Sequence, residues 1–325
     1  MTSILSTLET RRENFGDTFE FYAPGLKSWQ TSEWKPKNAK RFLPVSVTGS
    51  ACALNCDHCQ TKVLSSMISV RMGENLFDVA KQLQERGSEG LLVSGGSMRN
   101  GAVPLERHLR YVRRIKDELG MTVIAHSGVV TPRLAASLAD SGVDGVMLDI
   151  IGADETISEV YHLPLTIKDF DDALGLLSST GLRIIPHIIA GLHYGRFLGE
   201  YEALDMIKRH GIETLIIVVL TPLVSTPMEN VAPPSVEEVA GLFAAARTEL
   251  PKARINLGCA RPMGEMKVDL DQAAIDIGLN GIAYPADGSI SYAASRGFSP
   301  KLYEWCCSMS WAGDAGAGLT EVSLA

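Results

Sequence analysis

The sequence predicts an α/β protein of the (β/α)8 TIM-barrel type. Short apolar runs rich in β-formers alternate with amphipathic helical patterns along the chain. Eight such runs can be counted, and a chain of 325 residues has room for eight βα units with pieces left over at each end. A barrel of this type takes roughly 250 residues.

The runs are PVSVT (44–48), GLLVS (90–94), TVIAH (122–126), GVMLDI (145–150), RIIPHII (183–189), TLIIVVL (214–220), RINLGC (254–259) and GIAYP (281–285). Most of them are apolar on both faces, as parallel strands covered by helices on each side must be. The helical patterns between them span 74–87, 104–120, 131–142, 166–181, 199–211, 235–250 and 269–278. The first two end at Gly87 and Gly120, and the third opens Thr131-Pro132, a cap followed by a first-turn proline. A doubly wound open sheet is the alternative, but it calls for a glycine-rich phosphate turn after its first strand. Cysteines occupy that loop instead. Three segments follow: an N-terminal extension (1–40), the barrel (41–300) and a C-terminal segment (301–325). The aromatic, proline-rich stretch FEFYAPGLKSWQTSEWKP is expected to pack over the barrel, and the small, polar tail after Trp311 to be mobile.

The chain is 46% hydrophobic and 21% charged, with a formal net charge of −8. That is a globular balance, and its sign argues against nucleic acid as a partner. No apolar run is long enough to cross a membrane and no secretory pattern opens the chain, so the reducing cytoplasm is the expected compartment. There, six cysteines read as ligands or catalysts before they read as disulfides.

The cysteines fall into two sets of three. Cys52, Cys56 and Cys59 have the spacing C-x3-C-x2-C in the loop after the first strand, at the end of a barrel where active sites form. Three thiolates there can hold an iron–sulfur cube and leave one iron open. A zinc knuckle is the competing reading, with His58 as its nearest fourth ligand. Cys259 ends the seventh strand, and Cys306–Cys307 lie beyond the eighth. They read either as a second cluster or as buried core thiols. Ser308, Ser310 and Arg261 are candidates for a further ligand.

The first motif, in this loop of this kind of barrel, resembles the radical S-adenosylmethionine (SAM) superfamily. The resemblance implies a [4Fe–4S] cluster on Cys52, Cys56 and Cys59, with SAM chelating the open iron. It places His58 near the adenine, and Gly95 and Gly96 of LLVSGGS at the methionyl amino group, although the usual acidic residue after the glycines is serine here. By position it assigns Asp149 to the ribose hydroxyls, where a simple loop-capping role is the alternative, and Gly191 to the adenine segment. His187 and His193 stand near the mouth, as substrate contacts or as satisfied structural histidines.

A second cluster would suggest sulfur insertion, as in biotin and lipoyl synthases. In those families a 5′-deoxyadenosyl radical removes a hydrogen, and the auxiliary cluster gives up sulfur to the carbon. The chain lacks the N-terminal cysteine set of standard lipoyl synthases and the mid-barrel cysteines of biotin synthases. GCARP on the seventh strand with a later CCS looks most like a subunit of the two-component lipoyl synthases. That resemblance implies a sulfurtransferase with two [4Fe–4S] clusters and SAM. Its implied partners are an octanoylated lipoyl carrier protein, a second radical SAM subunit and an electron donor such as ferredoxin or flavodoxin. The competing readings are a biotin-synthase-like enzyme, a cofactor maturase, or a zinc- or cluster-binding scaffold.

Overall fold

The computed structural model describes residues 4–312 and 321–322. Its strands are β1 (Thr18–Tyr22), β2 (Phe42–Ser46), the two-residue β3 (Ile68–Ser69), β4 (Gly90–Ser94), β5 (Thr122–His126) and β6 (Gly145–Asp149). They continue as β7 (Ile184–Ala190), β8 (Thr214–Val219), β9 (Arg254–Leu257), β10 (Gly281–Ala283), β11 (Ser299–Tyr303) and β12 (Glu321–Val322).

All eight predicted runs are strands: β2 and β4 through β10 stand side by side in chain order, every pair parallel. The sheet curls as an incomplete barrel, so the C-terminal ends of its strands share one mouth. In a closed eight-stranded barrel the eighth strand would pair with the first. Here β10 pairs with β1, β1 with β11, and β2 carries β3 on its outer edge.

The extension is therefore part of the sheet. β1 lies parallel to both β10 and β11, with Phe19, Phe21 and Tyr22 fully buried. Each such aromatic contributes about 1.5–3 kcal/mol by burial. These three side chains cover the core and are not available to dock a partner. Arg11 of α1 (Ile4–Phe15) ties the helix to β1 by donating to Gly16 O and Thr18 O.

Helices cover the outside. They are α2 (Leu76–Gln84), α3 (Glu106–Arg114), α4 (Pro132–Ser141), α5 (Asp154–Glu159), α6 (Ile167–Ser178), α7 (Glu200–Arg209), α8 (Val236–Glu249), α9 (Glu265–Ile277) and α10 (Ser289–Ser295). The Thr131 cap forms as the sequence implies, its hydroxyl accepting from Leu134 N at 3.2 Å. α9 starts four residues earlier than predicted, at Glu265 rather than 269. α1, α5 and α10 were not visible in the apolar pattern. The expected mobility of the tail concerns residues that, apart from 321–322, lie outside those described.

Candidate active site

The loop after β2 carries the first cysteine triad. Asn55, Gln60 and Thr61 hold left-handed backbone angles (φ 51, 41 and 64°), a costly conformation for residues with a Cβ. Such strain persists only where surroundings impose it, and here they do. Gly96 donates its N–H to Thr48 Oγ1 at 2.8 Å. A Cβ on Gly96 would lie 2.1 Å from Ala51 O and 2.5 Å from Cys52 Cβ, so only glycine lets β4 approach the loop. A Cβ on Gly95 would meet Thr48 Oγ1 at 2.9 Å.

On the other side Asp57 is clamped. Tyr194 donates to its Oδ2 at 2.7 Å, and His162 Nε2 pairs with its Oδ1 at 2.9 Å. Tyr194 and His162 are themselves left-handed (φ 51 and 56°). The thiols face polar backbone: Cys52 Sγ lies 3.8 Å from Ser97 O, and Cys56 Sγ lies 3.8 Å from Tyr161 O. The Cys56 thiol donates to Cys59, which, with His58 alongside, brings the Cys59 thiol down to about 4, while Cys56 is pushed up. A thiolate at neutral pH is the metal-binding form. Three thiols on one strained loop, that of Cys59 drawn toward its thiolate form, fit a cluster corner. Among the described residues no three His, Cys, Asp or Glu side chains close around a single ion.

Two strand ends and a mid-strand histidine meet beside this loop. Asp149 ends β6, in register with His187 of β7. His126 ends β5, its Nε2 3.6 Å from Asp149 Oδ1. Tyr161 donates to Asp149 Oδ2 at 3.4 Å and lies with its ring 5.1 Å from that of His58. Burial would raise the Asp149 carboxyl, but the hydrogen bond from His126 and the charges of His126, His187 and His58 outweigh it and hold it at about 2. Burial, partly offset by Asp149, lowers His187 to about 4. Asp149 is thus an ionised acceptor with side-chain partners, a group suited to hydroxyls.

Gly191 has its backbone committed: its N–H donates to Glu200 Oε1 at 2.7 Å and its carbonyl accepts from Gly195 N at 2.8 Å. Its φ of 75° and a Cβ position 2.5 Å from Pro234 Cδ explain the glycine. His193 takes the structural role, buried with its Nδ1 3.2 Å from Thr156 Oγ1.

The structure also brings together the second set. Cys307 hydrogen-bonds both Cys259 and Cys306. Those bonds lower the two partners, Cys259 to about 7 with help from Lys27, and raise Cys307, which keeps the proton. Asn256 Nδ2 donates to Cys307 O at 3.0 Å, seating the segment against β9. Arg261 is not a free ligand. Its Nε donates to Asp271 Oδ1 at 2.7 Å, and its other nitrogens to Gly258 O, Ala283 O and Tyr284 O. Ser308 Oγ lies beside Cys306 and otherwise has no partner, and Ser310 Oγ is buried without one. Both serines therefore stay candidates for an oxygen ligand.

Sequence reasoning missed Asp57, His126, Tyr161, His162 and Tyr194. His126 had a signal, being the last residue of its strand as Asp149 is of β6. Tyr161 and Tyr194 had none, since their roles arise only when separate loops meet.

The Radical SAM superfamily profile matches residues 46–195. Biotin synthase of Ruthia magnifica subsp. Calyptogena magnifica is 25% identical over 234 residues, 68% of this chain and 70% of that protein. Biotin synthase of Acinetobacter baumannii (strain AYE) is 28% identical over 241 residues, 70% of each. In fold, methylornithine synthase (PylB) matches with a TM-score of 0.59 at 12% identity, covering 95% of this chain and 90% of that one. HydG, a maturase of the [FeFe]-hydrogenase, matches with a TM-score of 0.62 at 16% identity, covering 97% of this chain and 72% of that one. The cysteine loop thus lies at the mouth of such a fold, inside the stretch 46–195 that matches the radical SAM superfamily profile.

Proposed function

We propose that this enzyme is a sulfurtransferase acting on a protein-bound octanoyl chain, as one subunit of a two-component lipoyl synthase. The observation that carries the reading is the convergence of Cys259, Cys306 and Cys307 into one hydrogen-bonded set at the mouth. Core thiols of no chemical role have no reason to gather from both sides of β10. The biotin synthase relatives support the same class of chemistry.

When bound, a SAM-chelating cluster and an auxiliary cluster would supply hydrogen abstraction and sulfur. Cys52, Cys56 and Cys59 would hold the first and leave one iron free for SAM. Asp149 would accept from the ribose hydroxyls, and His58 and Tyr161 would flank the adenine. Cys259, Cys306 and Cys307 would hold the second, with Ser308 or Ser310 giving oxygen. Lys27 and Arg261 put positive charge beside those thiolates. The octanoyl-lysine arm spans about 15 Å when extended, enough to reach below the mouth from a carrier docked outside.

The test is iron and acid-labile sulfide per chain, in the anaerobically reconstituted protein and in a Cys259→Ala/Cys306→Ala/Cys307→Ala variant. Two clusters predict about eight irons falling to about four. About four in both would remove the sulfur-insertion reading and leave the radical SAM domain standing.

A further inference from the structure

The chain is acidic overall, yet one face beside the mouth is basic. Arg71, Arg99, Arg107 and Arg110 are exposed there, and none has a carboxylate within ion-pair reach among the described residues. The contrast lies within α3 and its continuation. Farther along, Arg114 pairs with Glu118 at 2.6 Å and Lys116 with Asp144 at 2.6 Å. At the mouth end, Arg107 Nε points to His108 Nε2 at 3.0 Å, and Arg110 donates to Tyr111 Oη at 2.8 Å. The two carboxylates on this face are taken. Glu106 pairs with Arg133 at 3.4 Å, and Glu74 accepts from Arg71 N at 3.2 Å. The field shows in His108, which burial and then Arg107 and Arg110 bring down to about 4.

Two hollows of about 400 and 410 Å³ flank Arg107, which lines both. Met72, fully exposed, and Met98, 41% exposed, stand at their rims. Uncompensated arginines with exposed methionines make a surface for a protein of opposite charge. Its place selects the partner. Val47, just past β2, lines one hollow; Met98 lines the other and follows Ser97, whose carbonyl lies 3.8 Å from Cys52 Sγ. The surface thus abuts the first triad. The second set lies beyond β9 and β11, across the sheet.

We infer that this face docks a small acidic electron-donor protein that reduces the first cluster. The donor loses one electron, the cluster gains it, and no proton or bond changes in that step. Electron transfer weakens steeply with distance, so a donor belongs against the first triad. A carrier delivering an acyl arm must serve both sets. The inference rests on the radical SAM assignment and holds whether or not the substrate is an octanoyl chain.

The experiment uses a reduced flavodoxin as the acidic donor and dithionite as a donor that needs no docking. Cluster reduction is followed by stopped-flow absorbance, and flavodoxin binding by calorimetry. In the intact protein the flavodoxin rate should fall steeply between about 0.05 and 0.5 M salt. Arg107→Glu/Arg110→Glu should slow it about tenfold or more at low salt and flatten its salt dependence. Binding should weaken in step, while the dithionite rate stays unchanged. A salt-independent rate in the intact protein would overturn the proposal. So would a variant with unchanged flavodoxin kinetics that instead binds an octanoylated carrier poorly. If dithionite reduction also drops, Arg107→Gln/Arg110→Gln is judged by the same ratio of flavodoxin to dithionite rates.

Discussion

The two cysteine sets are built in opposite ways. The first occupies eight consecutive residues and is held in a strained loop by neighbours pressing from both sides, Gly96 from β4 and Asp57 through Tyr194 and His162. The second is drawn from the end of β9 and the segment beyond β11, and is held by a buried polar framework of Arg261, Asp271 and Asn256. A local motif fixes which residues meet but needs its shape imposed. A dispersed set needs the whole sheet before its residues meet at all.

The sharpest break of this comparison is chemical. Cys56→Ala should abolish SAM cleavage, read as 5′-deoxyadenosine. Cys306→Ala should leave that product and stop thiolation, read by mass spectrometry of the carrier. If both variants lost 5′-deoxyadenosine alike, the sets would not be independent. Next in size is the framework. Arg261→Met leaves buried Asp271 uncompensated and should cost about 3–5 kcal/mol, lowering the denaturation midpoint and the iron of the second set first. Loss of first-set iron in equal measure would contradict the separation.

Gly96→Ala is the matching change at the first set. It should cost about 1–3 kcal/mol from overpacking against Cys52 and lower first-set iron, while the second set keeps its own. The smallest effect belongs to Tyr194→Phe. Removing one hydrogen bond to Asp57 should cost about 1 kcal/mol, roughly a fivefold weaker affinity for SAM by equilibrium binding. An unchanged affinity would show that the Asp57 clamp does not shape the SAM site.

Much of this was legible in the residues. The eight barrel strands show because each is a short, mostly apolar run bounded by glycine, proline or polar residues, and Cys52, Cys56 and Cys59 show because their spacing is local. β1 and β11 did not show. TFEFY and SPKLY carry charged and proline residues, and each becomes a strand by pairing with partners far away in sequence. Gly96 was singled out for a cofactor contact, and the structure adds a cause of its own in the press against Cys52. Asp57 passed as a spacer between cysteines because its partners, His162 and Tyr194, are more than a hundred positions along.

The placement of β1 between β10 and β11 sets an order of assembly. The first triad and its βα units leave the ribosome while the C-terminal third is still unmade. β1, synthesised before all of them, has no partner until β10 and β11 emerge, so its aromatic side chains must wait exposed or loosely collapsed. Such long-range closure is slow. The first cysteine loop can thus take shape before the second set is synthesised, and β1 can pair only once β10 and β11 exist.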